Sequence, residues 1–295
     1  MRQEIFQDIP SSIKVRPARP EDAQACGRIC YEAFKNIAEK HGFPPDIPKA
    51  DIAIQGMSLR IAHPKFYGVV AELDGVVVGS NFLDERGSIA GIGPITVDPH
   101  VQNRRIGREL MLNVLRRGQE KGFQGIRLVQ VAYHNRSLSL YAKLGFAVRE
   151  PLSVMQGPTI KKTIPGRQVR TATEKDIEEC NRVCLAVHGH HRGGELSDSI
   201  KQGKASVVEH DGRITGYSTA MGFGGHSVGK TADDIEALIG TAPAFQGPGI
   251  LVPTRNASLF VWCLENHLKV VEPMTLMTIG MYNEPTGAYL PSIWY

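Results

Sequence analysis

The chain has 295 residues, of which 42% are hydrophobic, and its 34 Lys+Arg against 30 Asp+Glu give a formal net charge of +4. At roughly 150 residues per domain, this length suits two domains that each bury a core. No apolar run approaches the roughly 18 residues of a membrane span, and Met1 to Pro10 holds no apolar signal core, so membrane and secretory classes are excluded and a cytoplasmic protein is expected.

The five cysteines are odd in number and lack framework spacing, so reduced thiols are expected. Cys26 and Cys30, like Cys180 and Cys184, stand four residues apart on helical stretches, and they read as buried helix faces rather than zinc ligands. No metal is expected. The charge is uneven: Met1 to Pro165 holds 23 Lys+Arg against 16 Asp+Glu, and Gly166 to Tyr295 holds 11 against 14. Much of the excess sits at Arg104, Arg105, Arg108, Arg116, Arg117, Lys121, Arg127 and Arg136. An acidic second half argues against nucleic acid, whereas a compact polyanion suits one loop and one helix.

In chain order, a short strand, Ile13 to Arg16, leads through Pro20, Glu21 and Asp22 into a helix. A hairpin follows, with Asp74-Gly75 as the turn between "FYGVVAEL" and "VVVGSNFL". The next strand, "SIAGIGPITV", carries a Gly/Pro irregularity read as a bulge. "VDPHVQNRRIGREL" then passes from strand through a glycine-bearing loop into a basic helix with Leu110, Met111, Val114 and Leu115 on one stripe. The strand "GIRLVQVAY", a helix around "SLSLYAKLG" and a strand near "FAVREPLSVM" complete the unit.

The unit then recurs. "VRPARPEDAQACGRIC" aligns with "VRTATEKDIEECNRVC" at Val15, Arg16, Ala18, Asp22, Cys26, Arg28 and Cys30, each matched 154 positions later. Glu72, Asp74, Gly75 and Gly79 meet Glu209, Asp211, Gly212 and Gly216, while Glu150, Pro151 and Met155 meet Glu272, Pro273 and Met277. The expected class is α+β: two tandem domains, 1–165 and 166–295, each a mostly antiparallel twisted sheet flanked by helices, joined near Thr163 to Gln168.

Backbone N–H groups at a helix N-terminus, backed by the helix dipole, form an anion site, and "QNRRIGR" would present such a row. The pattern V-x-P-x-x-Q-x-x-x-I-G-R, followed some thirty residues on by "NRSLSLYAKLGF", resembles the acetyl-CoA loop and the Asn-to-Tyr-x-x-x-Gly-Phe segment of the GNAT N-acetyltransferases. The likeness covers about Ile13 to Met155, and the second copy is similar in order but degenerate. This resemblance implies a tandem GNAT protein with acetyl-CoA as co-substrate. Carried over by position, Gln102, Asn103, Arg104, Arg105, Ile106, Gly107 and Arg108 would hold the pyrophosphate, and Ile95, Thr96 and Val97 the pantetheine arm. Asn135 would also face the cofactor, and Tyr141 would protonate the departing thiolate.

The chain departs from the pattern in three places. Arg105 stands where the family's loop has its first glycine, so the turn must form on a residue with a side chain. The Asn135 to Tyr141 spacing is one residue short, which puts His134 in contention for the family's Asn position. "AGIGPITV" lacks a carboxylate for the general base, leaving Asp84, Glu85 and His134 as candidates, with Glu85 and His134 carried forward beside Tyr141 as catalytic residues.

The second copy is expected to be silent. From Gly216 to Phe245 it spans 29 residues where the first copy, from Gly79 to Phe123, spans 44, and Trp262 falls opposite Tyr141. "GGHSVGKT", Gly224 to Thr231, matches a phosphate-binding loop literally, but too little chain follows for a nucleotide-binding sheet, and a hairpin turn is the plainer reading. "HGHHRGG", His188 to Gly194, reads as a polar loop. The expected function is acetyl transfer from acetyl-CoA to a primary amine on a small molecule or peptide, by a monomer or homodimer. The alternative is an acyl-CoA-binding or sensing protein without turnover.

Overall fold

The structure, a computed structural model, describes residues 13–295. Met1 to Pro10, read above for a signal core, lies outside the described residues. The first half runs β1 (Ile13–Pro17), α1 (Ala23–Lys40), α2 (Ala50–Ala62), β2 (Phe66–Leu73), β3 (Val76–Asp84), β4 (Ile89–Ile92), β5 (Thr96–Val97), α3 (Ile106–Glu120), β6 (Gly125–Val131), α4 (Asn135–Lys143) and β7 (Ala147–Gln156). The second runs β8 (Gln168–Thr171), α5 (Ile177–His188), α6 (Gly193–Lys201), β9 (Ser206–His210), β10 (Arg213–Ser218), β11 (Ser227–Gly229), α7 (Ala232–Thr241), β12 (Ile250–Pro253), α8 (Ala257–Glu265), β13 (Lys269–Gly280) and β14 (Ala288–Leu290). The fold is α+β and mostly antiparallel, as expected. Sequence reasoning did not identify α2 or α6.

Two compact units result: residues up to Leu83 together with Gly93–Lys121, and Asp84–Ile92 together with Gly122–Tyr295. In the first, β1, β2 and β3 lie side by side, with β5 paired to β3. Asp74 and Gly75 both take positive φ, 53° and 79°, so the β2–β3 turn is the tight hairpin type whose twist matches the strands. Cys26 and Cys30 of α1 pack with Ala53 and Met57 of α2 and with Val70 and Phe82 of the sheet. α3 buries Ile106, Leu110, Met111, Val114 and Leu115 along one face.

Arg16 ties this unit together. Its Nη1 and Nη2 donate to Asp22 at 2.7 and 2.9 Å, and its Nε to Glu72 at 2.7 Å. Asp22 also accepts from the Arg19 amide at the entrance to α1. The second unit builds the same clamp: Arg170 donates to Asp176 twice at 2.8 Å and to Glu209 at 2.9 Å, and Asp176 accepts from the Thr173 amide. The repeat in the sequence is thus a repeat of interactions. Its hairpin turn recurs as well, at Asp211 and Gly212 with φ of 50° and 71°.

The second unit contains two sheets. One runs β4-β6-β13-β7-β12 and the other β14-β11-β10-β9-β8. In the first, β13 of the second copy lies between β6 and β7 of the first copy, and β7 lies between β13 and β12. The two copies have therefore exchanged their last strands. This exchange is why the compact units cut the chain elsewhere than at the repeat junction near residue 165. It also crosses two buried carboxylates: Glu150 accepts from Arg255 at 2.9 Å through both oxygens, and Glu272 accepts from Tyr133 at 3.0 Å. Each partner comes from the other copy. All five cysteines are free and buried.

Among the described residues no helix is long and apolar enough to cross a membrane, and no group of His, Cys, Asp or Glu could hold a metal ion.

Arg170 holds the Asp176 carboxyl well below the usual range, the first cause being its side-chain hydrogen bond. A depressed carboxylate contributes stability that is present above about pH 4 and lost as pH falls toward the folded value. Asp176→Asn is therefore expected to lower unfolding free energy by about 2 kcal/mol at pH 7, with the deficit shrinking steadily below pH 4. Denaturant melts of both proteins across pH 2–7 measure it; a deficit independent of pH would mean that the charge contributes nothing.

Candidate functional site

The residues expected to hold the cofactor fall into two groups, one in each unit. In the first, the strand read as one bulged segment is interrupted at the cis peptide between Gly93 and Pro94, with β5 beginning at Thr96. Among the described residues β5 pairs with β3 alone, Thr96 opposite Ser80 and Val97 opposite Gly79. Ile95 precedes the strand as half-buried backbone, and the buried Thr96 hydroxyl has no hydrogen-bond partner. A Cβ at Gly79 would lie 2.7 Å from the Thr96 carbonyl oxygen, so only glycine admits β5 this close to β3.

After β5 the chain turns at Asp98, whose carboxylate accepts from the His100 amide, and the Gln102 side-chain amide donates back to the Val97 carbonyl at 3.3 Å. Asn103 and Arg105 then adopt left-handed backbone, φ 69° and 63°. The turn that glycine would make freely is thus made by Arg105 at a cost of about 1 kcal/mol. Arg105 is the N-cap of α3 and supplies no side-chain cap. The amides of Ile106, Gly107 and Arg108 open the helix. Ile106 is buried and anchors it, while Asn103, Arg104, Arg105 and Arg108 are exposed around the same end. Uncapped amides, the positive end of a 15-residue helix and three guanidinium groups converge on what is chemically an anion site.

In the second copy the corresponding helix, α7, is closed. Thr231 is its N-cap, and Asp234 accepts from both the Thr231 amide and hydroxyl at 2.9 Å. Asp234 is fully buried and ion-paired to Arg167 at 2.7 Å. Residues 227–229 of the literal "GGHSVGKT" match form β11, and the helix that follows is closed at its N-cap by its own carboxylate.

His134, Asn135 and Tyr141 lie together on α4 in the second unit. His134 is the N-cap, its Nδ1 accepting from the Ser137 amide at 3.0 Å. That lone pair is committed, so His134 would have to surrender the cap to act as a base. Asn135 is the exposed first residue of the helix. Tyr141 is buried with its ring edge toward Phe146, and burial pushes its hydroxyl up to about 12. It is therefore protonated at neutral pH.

Cap geometry also fixes how the two copies align here. Asn256 caps α8 through Leu259 as His134 caps α4, and the Phe146 and Leu268 amides return to Tyr141 and Cys263 respectively. The residue opposite Tyr141 is Cys263, not Trp262. Cys263 carries a thiol there in place of a hydroxyl. Glu85 is half-buried beside Asp84, which Arg86 holds in a two-oxygen clamp with bonds of 2.6–3.0 Å.

Two further readings need correction. Arg127, counted with the basic stretch, is 2% exposed on β6, because that strand lies between β4 and β13 and both of its faces are covered. "HGHHRGG" is not a solvated polar loop: His188 and His190 are buried, and Arg192 is ion-paired to Glu195 at 2.6 Å. Polarity misled in both cases, since the partners that make burial tolerable lie more than a hundred residues away or on another element.

Residues 30–146 match the family model for the acetyltransferase (GNAT) family. Among solved structures, the chain is similar to a Pyrococcus horikoshii protein classed as an acetyltransferase, with 17% identity, 95% of this chain and 94% of that chain covered, and a TM-score of 0.71. It is also similar to a GCN5-related N-acetyltransferase from Sphaerobacter thermophilus, with 16% identity, 94% and 98% covered, and a TM-score of 0.62. At such identities these likenesses show the fold. A comparison with curated proteins gives no match. Sequence and fold agree that residues 30–146 are a GNAT acetyltransferase domain.

Proposed function

We propose that the protein is an acetyl-CoA-dependent N-acetyltransferase that moves the acetyl group directly to a primary amine on a small molecule or peptide. The observation that carries this reading is the uncapped, arginine-flanked start of α3. The amides of Ile106 to Arg108 would receive the pyrophosphate, with Arg104, Arg105 and Arg108 supplying countercharge and Gln102 and Asn103 shaping the turn. Thr96 and Val97 would pair with the pantetheine amides through the strand edge that β3 leaves, with Ile95 alongside. Family membership supports acyl-CoA as co-substrate.

In the reaction the free amine attacks the thioester carbonyl, the carbon–sulfur bond breaks, and the leaving thiolate takes a proton. Tyr141, held in its protonated form, is the proposed donor. The amine must first lose its own proton. Glu85 and His134 are the proposed base candidates; His134 would have to give up its cap of α4, and Arg86 clamps Asp84. Holding amine and thioester in line supplies the larger part of the acceleration.

These same engagements favour a second reading, an acyl-CoA-binding protein without turnover. Tyr141→Phe distinguishes them. For the enzyme, kcat is expected to fall about 10²-fold with acetyl-CoA affinity unchanged. Binding by the wild type with no turnover across an amine panel would instead favour the binder.

The loop assignment makes a separate prediction. Replacing Arg104, Arg105 and Arg108 together by Ala is expected to weaken acetyl-CoA binding by ~30-fold, about 2 kcal/mol, in calorimetry. Arg105→Gly alone separates the two roles of that residue: it is expected to raise the unfolding free energy by up to about 1 kcal/mol by relieving the left-handed backbone, yet to bind acetyl-CoA more weakly. Binding indifferent to all three arginines would remove the cofactor from this loop.

A further inference from the structure

Acetyl transfer to an ammonium takes two protons from nitrogen: one before attack, and a second once the new carbon–nitrogen bond has placed positive charge on the nitrogen. Glu85 and His134 are the candidates for the first. For the second, the strand exchange brings a carboxylate to the end of β6. Glu272 of β13, 1% exposed, accepts from the Tyr133 hydroxyl at 3.0 Å. Tyr133 is half-buried, packs on the cluster that holds Ile89, Val131 and Leu152, and directly precedes His134 and Asn135. β4 pairs with β6 from Gly125 to Arg127 alone, so among the described strands the stretch from Leu128 to Val131 has β13 on one side and an open edge on the other.

The second copy holds the matching carboxylate in a different way. Arg255 stands one residue before the cap of α8, as Tyr133 stands one residue before the cap of α4, and Arg255 meets Glu150 as Tyr133 meets Glu272. Arg255 grips both oxygens of Glu150 at 2.9 Å and reaches Glu284 at 3.0 Å. A two-bond guanidinium keeps a carboxylate in its charged form and gives up no proton at neutral pH. A tyrosine hydroxyl is donor and acceptor at once, so it can pass one proton on while taking another. This difference runs the same way as that between the helix starts: the copy whose α3 has no side-chain cap carries the hydroxyl, and the copy whose α7 is self-capped carries the guanidinium.

We propose that Tyr133 and Glu272 relay the second proton of the acetyl transfer. As the amine nitrogen bonds to the thioester carbonyl carbon, its proton passes to Tyr133 Oη while the Tyr133 hydroxyl proton passes to Glu272 Oε2. Nitrogen and tyrosine are left neutral and the carboxylate protonated. The carbon–sulfur bond then breaks, and the thiolate takes its proton from Tyr141. Of the two protons that nitrogen gives up, one restores Tyr141 and the other is released to water. Tyr133 is the catalytic residue in this step, and Glu272 is a positioning residue that acts through it. The relay rests on the acetyl-transfer reading and adds to it a residue supplied by the second copy.

The test is steady-state kinetics with acetyl-CoA and benzylamine, ethanolamine or the dipeptide Ala-Ala as acceptor, beside calorimetry with acetyl-CoA. Tyr133→Phe and Glu272→Gln, which keeps an oxygen for the Tyr133 hydroxyl, are each expected to lower kcat about 10²-fold with acetyl-CoA affinity unchanged. The double variant is expected to fall no further than either single one, because the two groups act in series; losses that multiply overturn the relay. Glu150→Gln is the control, expected to lower the thermal midpoint and keep kcat. Should Glu272→Gln fail to fold, Tyr133→Phe decides: full activity in it overturns the relay. Wild-type turnover that persists unchanged in Glu272→Gln overturns the relay and leaves the acetyl-transfer reading standing, whereas acetyl-CoA binding with no turnover of any acceptor removes the reaction and the relay with it.

Discussion

The arginine clamp is the contact on which the rest of each repeat is built. Arg16 and Arg170 each join the first strand of a copy to the start of its first helix and to the edge of its hairpin. One planar, five-donor side chain satisfies two carboxylates at once, which a lysine's point charge could not do with the same directionality. Because the helix-entry Asp is nearly sealed from solvent in both copies, its charge has to be met there. With that corner fixed, the hairpin, its tight turn and the helix that covers it follow in the same arrangement twice.

Strand exchange is the second constraint, and it explains why two copies make one inseparable structure in the second unit. β13 fills the gap between β6 and β7, and β7 fills the gap between β12 and β13. A copy released from its partner would expose strand edges and leave Glu150 or Glu272 buried without the group that meets it. In the second unit the two copies complete one sheet between them.

Much of this was legible in the sequence, and the limits have physical causes. Strand and helix order in the first half followed from hydrophobic period and turn residues, because those signals are local: Asp74-Gly75 can make one kind of turn, and the stripe Leu110, Met111, Val114, Leu115 has one buried side. The clamp residues were visible as identities between copies although their contacts were not. Strand exchange was invisible, since nothing in β7 or β13 says which neighbour it will choose. Arg127 and the histidines of 188–190 were misplaced for a related reason. Sequence reasoning sends charge outward, and only tertiary contacts such as Tyr282 and Tyr295 reveal where polar side chains can be kept inside. The alignment of α4 with α8 was one residue out because the His134 and Asn256 caps are different residue types doing the same work.

The site shows the same division between what is local and what is not. The start of α3 could be read in advance because the loop and the apolar stripe that follows it are local signals. What the sequence did not show is that Asn103 and Arg105 carry the left-handed turn themselves. That choice has a consequence: a glycine would make the turn without strain, but it would place no charge there. Arg105 gives up backbone ease for a cation at the point where the helix amides emerge. Its counterpart α7 went the other way, capping its amides with Asp234 and burying that carboxylate against Arg167. The two helices thus have opposite electrostatic ends on one topology. A helix end whose N-cap side chain makes no cap bond and that is ringed with arginine is electrostatically suited to an anion, whereas a self-capped end with its own buried carboxylate is not.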